Sequence, residues 1–142
     1  ENAKQAILSA DLVIMGPGDL YTSIIPNLLV QGVPEAIRGS RAKKAFVVST
    51  MTKAGETSGF SASDFLREIE SYLGEGILDF VVVNKKMPSG SRLERYREEG
   101  KAMVAPGALP PRPKAVFGDF IRPTGYVRHD SDRLARALIS LV

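Results

Sequence analysis

Apolar positions along this chain of 142 residues follow two alternating rhythms. Short continuous runs, "DLVIM" at 11–15, "AFVVST" at 45–50, "LDFVVVN" at 78–84 and "AVFGDF" at 115–120, read as buried strands, with "AMVA" at 102–105 as a further brief one. Between them apolar residues recur at helical spacing: Ala3, Ala6, Ile7 and Ala10; then Ile24, Ile25, Leu28 and Leu29; then Phe65, Leu66, Ile69, Tyr72 and Leu73; and finally Leu134, Ala135, Leu138, Ile139 and Leu141. Two shorter helices fit between these, one opening at Pro34 and closing at Gly39, the other the polar "SRLERYREEG" ending at Gly100. Ser61 and Asp64 have capping-box spacing with a shortened acid, Gly74 stops that helix, and Ser131 is expected to cap the last one. Strands alternating with helices predict an α/β fold, a mostly parallel sheet layered between helices, and one domain over residues 1–142.

The densest chemistry falls at the first strand-to-helix turn, "GPGDLYTS" at 16–23. In a parallel sheet such turns collect ligands, because free backbone N–H groups and the helix dipole both favour an anion there. Gly16 and Gly18 let a phosphate approach the backbone, Pro17 stiffens the turn, and Thr22 and Ser23 can cap the helix or donate to phosphate oxygens. With Ser23 as N-cap, Pro26 falls in the first turn, where its missing N–H costs nothing. A tight turn with an ordinary cap accounts for the same spacing, and neither the dinucleotide fingerprint nor the P-loop is present. Asp19 repels a phosphate unless it turns outward, binds a sugar hydroxyl or holds a divalent cation, which makes it the one candidate ligand for Mg²⁺.

The distribution of charge allows an anionic ligand, though a simply solvated surface accounts for it as well. Residues 1–80 hold 7 basic and 10 acidic side chains, whereas 81–142 hold 12 and 6, so the net charge of +3 lies in the second half. The basic residues there are interspersed with acids and prolines and lack interleaved aromatics, which argues against nucleic acid as the partner. The absence of cysteine excludes disulfides, thiolate metal sites and cysteine nucleophiles, and no apolar run approaches the roughly 18 residues of a membrane span.

"GPGDLYTSIIPNLLVQGVPEAI" closely resembles the "GPGSLYTSIIPNLLV" signature of the gluconeogenesis-factor (YvcK-like) family, in the superfamily of 2-phospholactate transferase. "MTKAGETSGFSASDF", "VVVN" at 81–84, "RYREEG" at 95–100 and "RHDSDRLARAL" extend the match over most of the chain. The resemblance implies a Rossmann-like fold and a cytoplasmic regulator of carbon metabolism, peptidoglycan precursor supply and cell shape that binds UDP-sugars such as UDP-N-acetylglucosamine. It also implies that this chain is the C-terminal half of a longer protein, since the family's glycine-rich opening turn is missing. Asp19 stands where the family has serine, Phe60 for tyrosine, Phe65 for histidine and Ser49 for asparagine.

Alongside the first turn, the loop at 51–60 is expected to open on the same sheet edge, with Thr52, Glu56 and Thr57 reaching ribose or sugar hydroxyls and Phe60 stacking on a base. Asn84 ends a buried strand and can read a base or fix its own loop; Arg95 lies on a polar helix whose charges are by default solvated, and the resemblance at "RY" implies that its guanidinium fork meets a diphosphate or sugar. Tyr21 and Asn27 either line the site or serve packing and backbone bonding. His129, the sole histidine, reads as structural, with no second histidine for a metal cluster. Three functions compete: a UDP-sugar-binding regulator without a reaction of its own, a Mg²⁺-dependent phospholactyl transferase acting on a deazaflavin precursor, and an assembly module. The first is favoured because the transferase branch has "GPSNP" in place of "GPGDLY". A homo-oligomer is left open.

Overall fold

The computed structural model describes residues 1–142. Four parallel strands, β1 (Leu12–Met15), β2 (Lys43–Val47), β3 (Phe80–Asn84) and β4 (Lys114–Gly118), lie side by side in chain order. Ile14 sits opposite Ala45, Phe46 opposite Val81 and Val82 opposite Val116. Helices α1 (Asn2–Ser9), α2 (Ile25–Leu28), α3 (Val33–Gly39), α4 (Ala62–Leu73), α5 (Gly90–Glu98) and α6 (Ser131–Ile139) alternate with them or flank them. The predicted α/β architecture is present, and its sheet is entirely parallel. No helix is long and apolar enough to cross a membrane.

Side chains of a strand alternate between faces, and here both faces are covered. Phe46, Val48, Val81 and Val83 pack with Ile25, Leu28, Ile37, Phe65, Leu66, Ile69 and Leu73 in the main core. Their neighbours Ala45, Val47 and Val82 turn to the other face and meet Phe120, Leu134 and Leu138. A third cluster joins Leu93 of α5 to Ile121 and Val127, with Met51, Tyr96 and Met103 against it. Because Met51 follows β2 and Ile121 follows β4, this cluster places α5 over the end where the strands finish.

Local chemistry explains both the matches and the departures. Asp64 accepts the backbone N–H of Ser61 at 2.8 Å and its hydroxyl at 2.6 Å, starting α4 as its capping spacing predicts. The expected cap at Ser131 is instead Asp130, whose carboxylate accepts the N–H of Arg133 at 3.1 Å; a charged acceptor outcompetes the neighbouring hydroxyl. Ser23 is likewise not an N-cap. A π turn over Leu20–Ile24 precedes α2, and Ile25 N–H bonds back to Leu20. Pro26 supplies the reason: it has no donor, and its ring crowds the carbonyl four residues earlier, so the chain widens there. The stretch 102–105 is not a strand but a single antiparallel bridge, Met51 to Met103. Pro106 removes the donor that would have continued it. β2 starts two residues before its expected position because Lys44, although buried, donates to the carbonyls of Ser40 and Ala42 at 2.9 Å each.

Candidate functional site

A cleft of about 680 Å³ opens where the strands end. Its near side is the turn after β1, Pro17 to Asp19, and the segment after β2, Ser49 to Lys53. Gly16, beneath it, has φ +88°, and a Cβ there would stand 2.7 Å from the carbonyl oxygen of Val47, so the turn can lie against β2 only as glycine. The Gly16–Pro17 bond is cis. Ser49 donates its hydroxyl to Gly18 O at 2.8 Å and ties the two segments together.

Lys53 stands between two carboxylates, 2.9 Å from Asp19 and 2.9 Å from Glu56. Those hydrogen bonds, Asp19 first, raise its pKa above the ordinary lysine value. Asp19 is therefore engaged by an ammonium group. No cluster of three or more His, Cys, Asp or Glu side chains is present, and a Mg²⁺ on Asp19 would have to displace the Lys53 ammonium.

The far side comes from α5, the residues after it and the loop before α6: Arg95, Tyr96, Glu99, Lys101, Tyr126 to His129 and Ser131. Two guanidinium groups flank the ring of Tyr126, Arg95 at 5.3 Å from its centroid and Arg128 at 5.5 Å. Arg95 also donates to the Tyr126 hydroxyl at 3.2 Å. Glu99 lies 2.6 Å from Lys101 and 3.6 Å from Arg95, and Lys101 above all holds its carboxyl below the usual range. The cleft thus gathers four cations, Lys53, Arg95, Lys101 and Arg128, against two acids, Asp19 and Glu99. His129 adds a neutral imidazole: burial pushes its pKa down to about 4, and its Nε2 is buried without a partner.

Of the residues expected from the sequence, Gly18, Asp19, Thr52 and Arg95 line this cleft. The others lie elsewhere or serve the scaffold. Thr52 itself is buried, its hydroxyl accepting the N–H of Ala102 at 2.9 Å, and Thr57 accepts the N–H of Lys53 at 2.8 Å. Glu56 pairs with Lys53, and Thr22 meets the same ammonium at 3.5 Å. Asn84 takes the structural alternative: its carbonyl accepts from Phe120 and Lys86, and its amide donates to Lys86 O at 2.9 Å. Phe60 does not offer a free face at the cleft; it packs against the main core, edge-on to Phe65 at 5.6 Å. Tyr21 packs on the same core, where burial first and the Glu68 carboxylate second raise its pKa. Gly16, Ser23 and Asn27 line a separate, mostly apolar groove beside β1, and Asn27 donates to Ser23 O at 2.6 Å.

The cleft is also lined by Lys53, Tyr96, Lys101, Tyr126 and Arg128, which the sequence does not single out as candidates, and by His129, which it suggests is structural. For Lys101 and Arg128 the one signal was the excess of basic charge after residue 80.

Fold and cleft together define a Rossmann-like α/β protein with a cationic cleft at the strand ends. The chain belongs to the CofD family: the family described as 2-phospho-L-lactate transferase CofD matches residues 1–113. A Thermotoga maritima relative is 53% identical over 100 residues, 70% of this chain and 32% of its own length. The Listeria innocua protein named gluconeogenesis factor is 32% identical over 146 residues, covering 99% of this chain and 44% of that protein. A crystal structure of a UPF0052-family protein from Bacillus halodurans superposes with a TM-score of 0.89 at 32% identity, over 98% of this chain and 46% of that one. The chain thus spans less than half the length of these relatives.

Proposed function

We propose that the cleft binds the diphosphate of a UDP-sugar, of which UDP-N-acetylglucosamine is the type, in a cytoplasmic regulator of carbon metabolism, peptidoglycan precursor supply and cell shape. The observation that carries this reading is the gathering of Lys53, Arg95, Lys101 and Arg128 around one cleft at the end of a parallel sheet. The arginine forks suit paired phosphate oxygens, and the tyrosines offer hydroxyls and ring edges to a sugar or base. The name gluconeogenesis factor, borne by relatives, supports the regulatory side. The description of the family favours a second reading, a phospholactyl transferase. The pairing of Asp19 with Lys53 weighs against it, because it engages the carboxylate that reading would use for a metal.

Calorimetry on the full-length protein with UDP-N-acetylglucosamine, UDP, pyrophosphate and uridine tests the proposal. The three phosphate-bearing ligands are expected to bind and uridine to bind far more weakly. Salt should weaken binding as the Debye length shrinks from about 10 Å at 0.1 M to about 3 Å at 1 M. Uridine binding as tightly as UDP would overturn the diphosphate assignment.

A second expectation concerns Asp19→Ser. Freed of one carboxylate, Lys53 should hold UDP roughly two- to fivefold tighter, the worth of one exposed charge pair. An affinity equal to the parent's would place the anion away from Lys53.

A further inference from the structure

The cleft wall from Tyr126 to His129 rides on an irregular segment, and the backbone carbonyls at the tip of that segment are held by one side chain outside the cleft. Arg92 of α5 donates Nε–H to Gly125 O at 2.9 Å, Nη1–H to Pro123 O at 3.2 Å, and Nη2–H to both Arg122 O at 3.0 Å and Tyr126 O at 3.2 Å. Its guanidinium forms no ion pair with any carboxylate, and it is not among the residues that line the cleft. A planar fork with five donors can span carbonyls pointing from several residues, whereas the compact ammonium of lysine cannot.

Position on the helix gives this clamp its consequence. Residues 92, 95 and 96 follow the i, i+3, i+4 spacing of one helical face. Arg95 reaches the Tyr126 hydroxyl, and Tyr96 accepts the N–H of Val127 at 2.9 Å. One face of α5 therefore supplies cleft residues and also sets where the opposite segment lies. The remaining ties of that segment are the packing of Val127 against Leu93 and Ile121, backbone bonds at its two ends, Arg122 N–H to Arg128 O at 3.0 Å and Asp130 N–H to Phe120 O at 2.7 Å, and a long contact from Thr50 to Val127 O at 3.5 Å. The tip, 122–126, is solvent-exposed and has only Arg92 to hold its carbonyls inward.

We infer that Arg92 is a positioning residue: by gripping the carbonyls of 122–126 it fixes the separation between α5 and the Tyr126–His129 wall, and with it the geometry that receives the anion. The affinity part of this inference rests on the proposed diphosphate site; the clamp itself does not.

Hydrogen–deuterium exchange and calorimetry on full-length wild type and Arg92→Lys test the two parts separately. Exchange at the bonded amides of Arg122 and Val127 should quicken by about tenfold, the loss of about one charge-assisted hydrogen bond, while α4 keeps its wild-type rate. UDP-N-acetylglucosamine should bind Arg92→Lys about tenfold more weakly, because a displaced wall no longer presents its groups in register. In Arg92→Ala, added methylguanidinium should restore part of that affinity, a rescue that a generally damaged fold would not show. Unchanged exchange at those two amides, or a rise shared equally by α4, overturns the clamp. A loosened segment with wild-type affinity overturns its role in binding. Failure of the wild type to bind any diphosphate would count against the proposed function instead, and the exchange result would still decide the clamp.

Discussion

Gly16→Ala is expected to destabilise the protein by about 2–4 kcal/mol, combining a side chain forced to positive φ with a steric conflict that has no soft neighbour to absorb it. The new Cβ would sit 2.7 Å from the carbonyl oxygen of Val47, a backbone atom of the strand next to β1, and 3.3 Å from the Ile24 side chain. The carbonyl cannot rotate away without disturbing β2, so the turn itself must lift. That movement carries Gly18 and Asp19 with it, so diphosphate affinity should fall in step with stability. Gly39→Ala is the matched control: nothing lies within 4 Å of its Cβ position, and its φ is not positive. It should be neutral or slightly stabilising in α3. Chemical denaturation of both variants checks the pair, and equal stabilities would mean that the turn does not lie against β2 as described.

What the sequence disclosed and what it hid divide along a physical line. Strands buried on both faces announce themselves as apolar runs, and Val81–Val83 could hardly be read otherwise. The α4 helix was equally legible, because its cap, its apolar face and its terminal glycine agree. Competition between neighbouring groups was not. Asp130 against Ser131 as a cap, or a π turn imposed by Pro26, turns on local backbone geometry that spacing does not encode. The site divides in the same way. Its near side is contiguous in sequence, so Gly18, Asp19 and Thr52 were found as one turn and one loop. Its far side is assembled from α5 and from an irregular segment with no periodicity, brought together by Arg92 and by the hydroxyl of Tyr96. Phe60 and Asn84 illustrate the converse. A residue type suited to a base or a ring is equally suited to a core edge or a strand end, and the environment decides.

The largest pH effect should come from the side chain that the sequence suggested was structural. His129 has a pKa of about 4 in the fold against 6.5 for the free residue, because burial disfavours the imidazolium and no partner offsets it. Between those values the unfolded chain binds a proton that the folded chain does not. Stability therefore rises with pH across this window: the contribution is complete above about pH 6.5 and is lost as pH falls toward 4, at about 1.4 kcal/mol per pH unit. Over the whole window this amounts to about 3 kcal/mol. Asn has no titration there, so urea denaturation of wild type and His129→Asn from pH 7.5 to 4.5 isolates the term, since every other titrating group cancels in the difference between the two proteins. The wild type should lose stability relative to the variant as the buffer is acidified, beginning near pH 6.5. Parallel curves would show that His129 takes up its proton as readily in the fold as out of it, and that the imidazole facing the cationic cleft is not held neutral by burial.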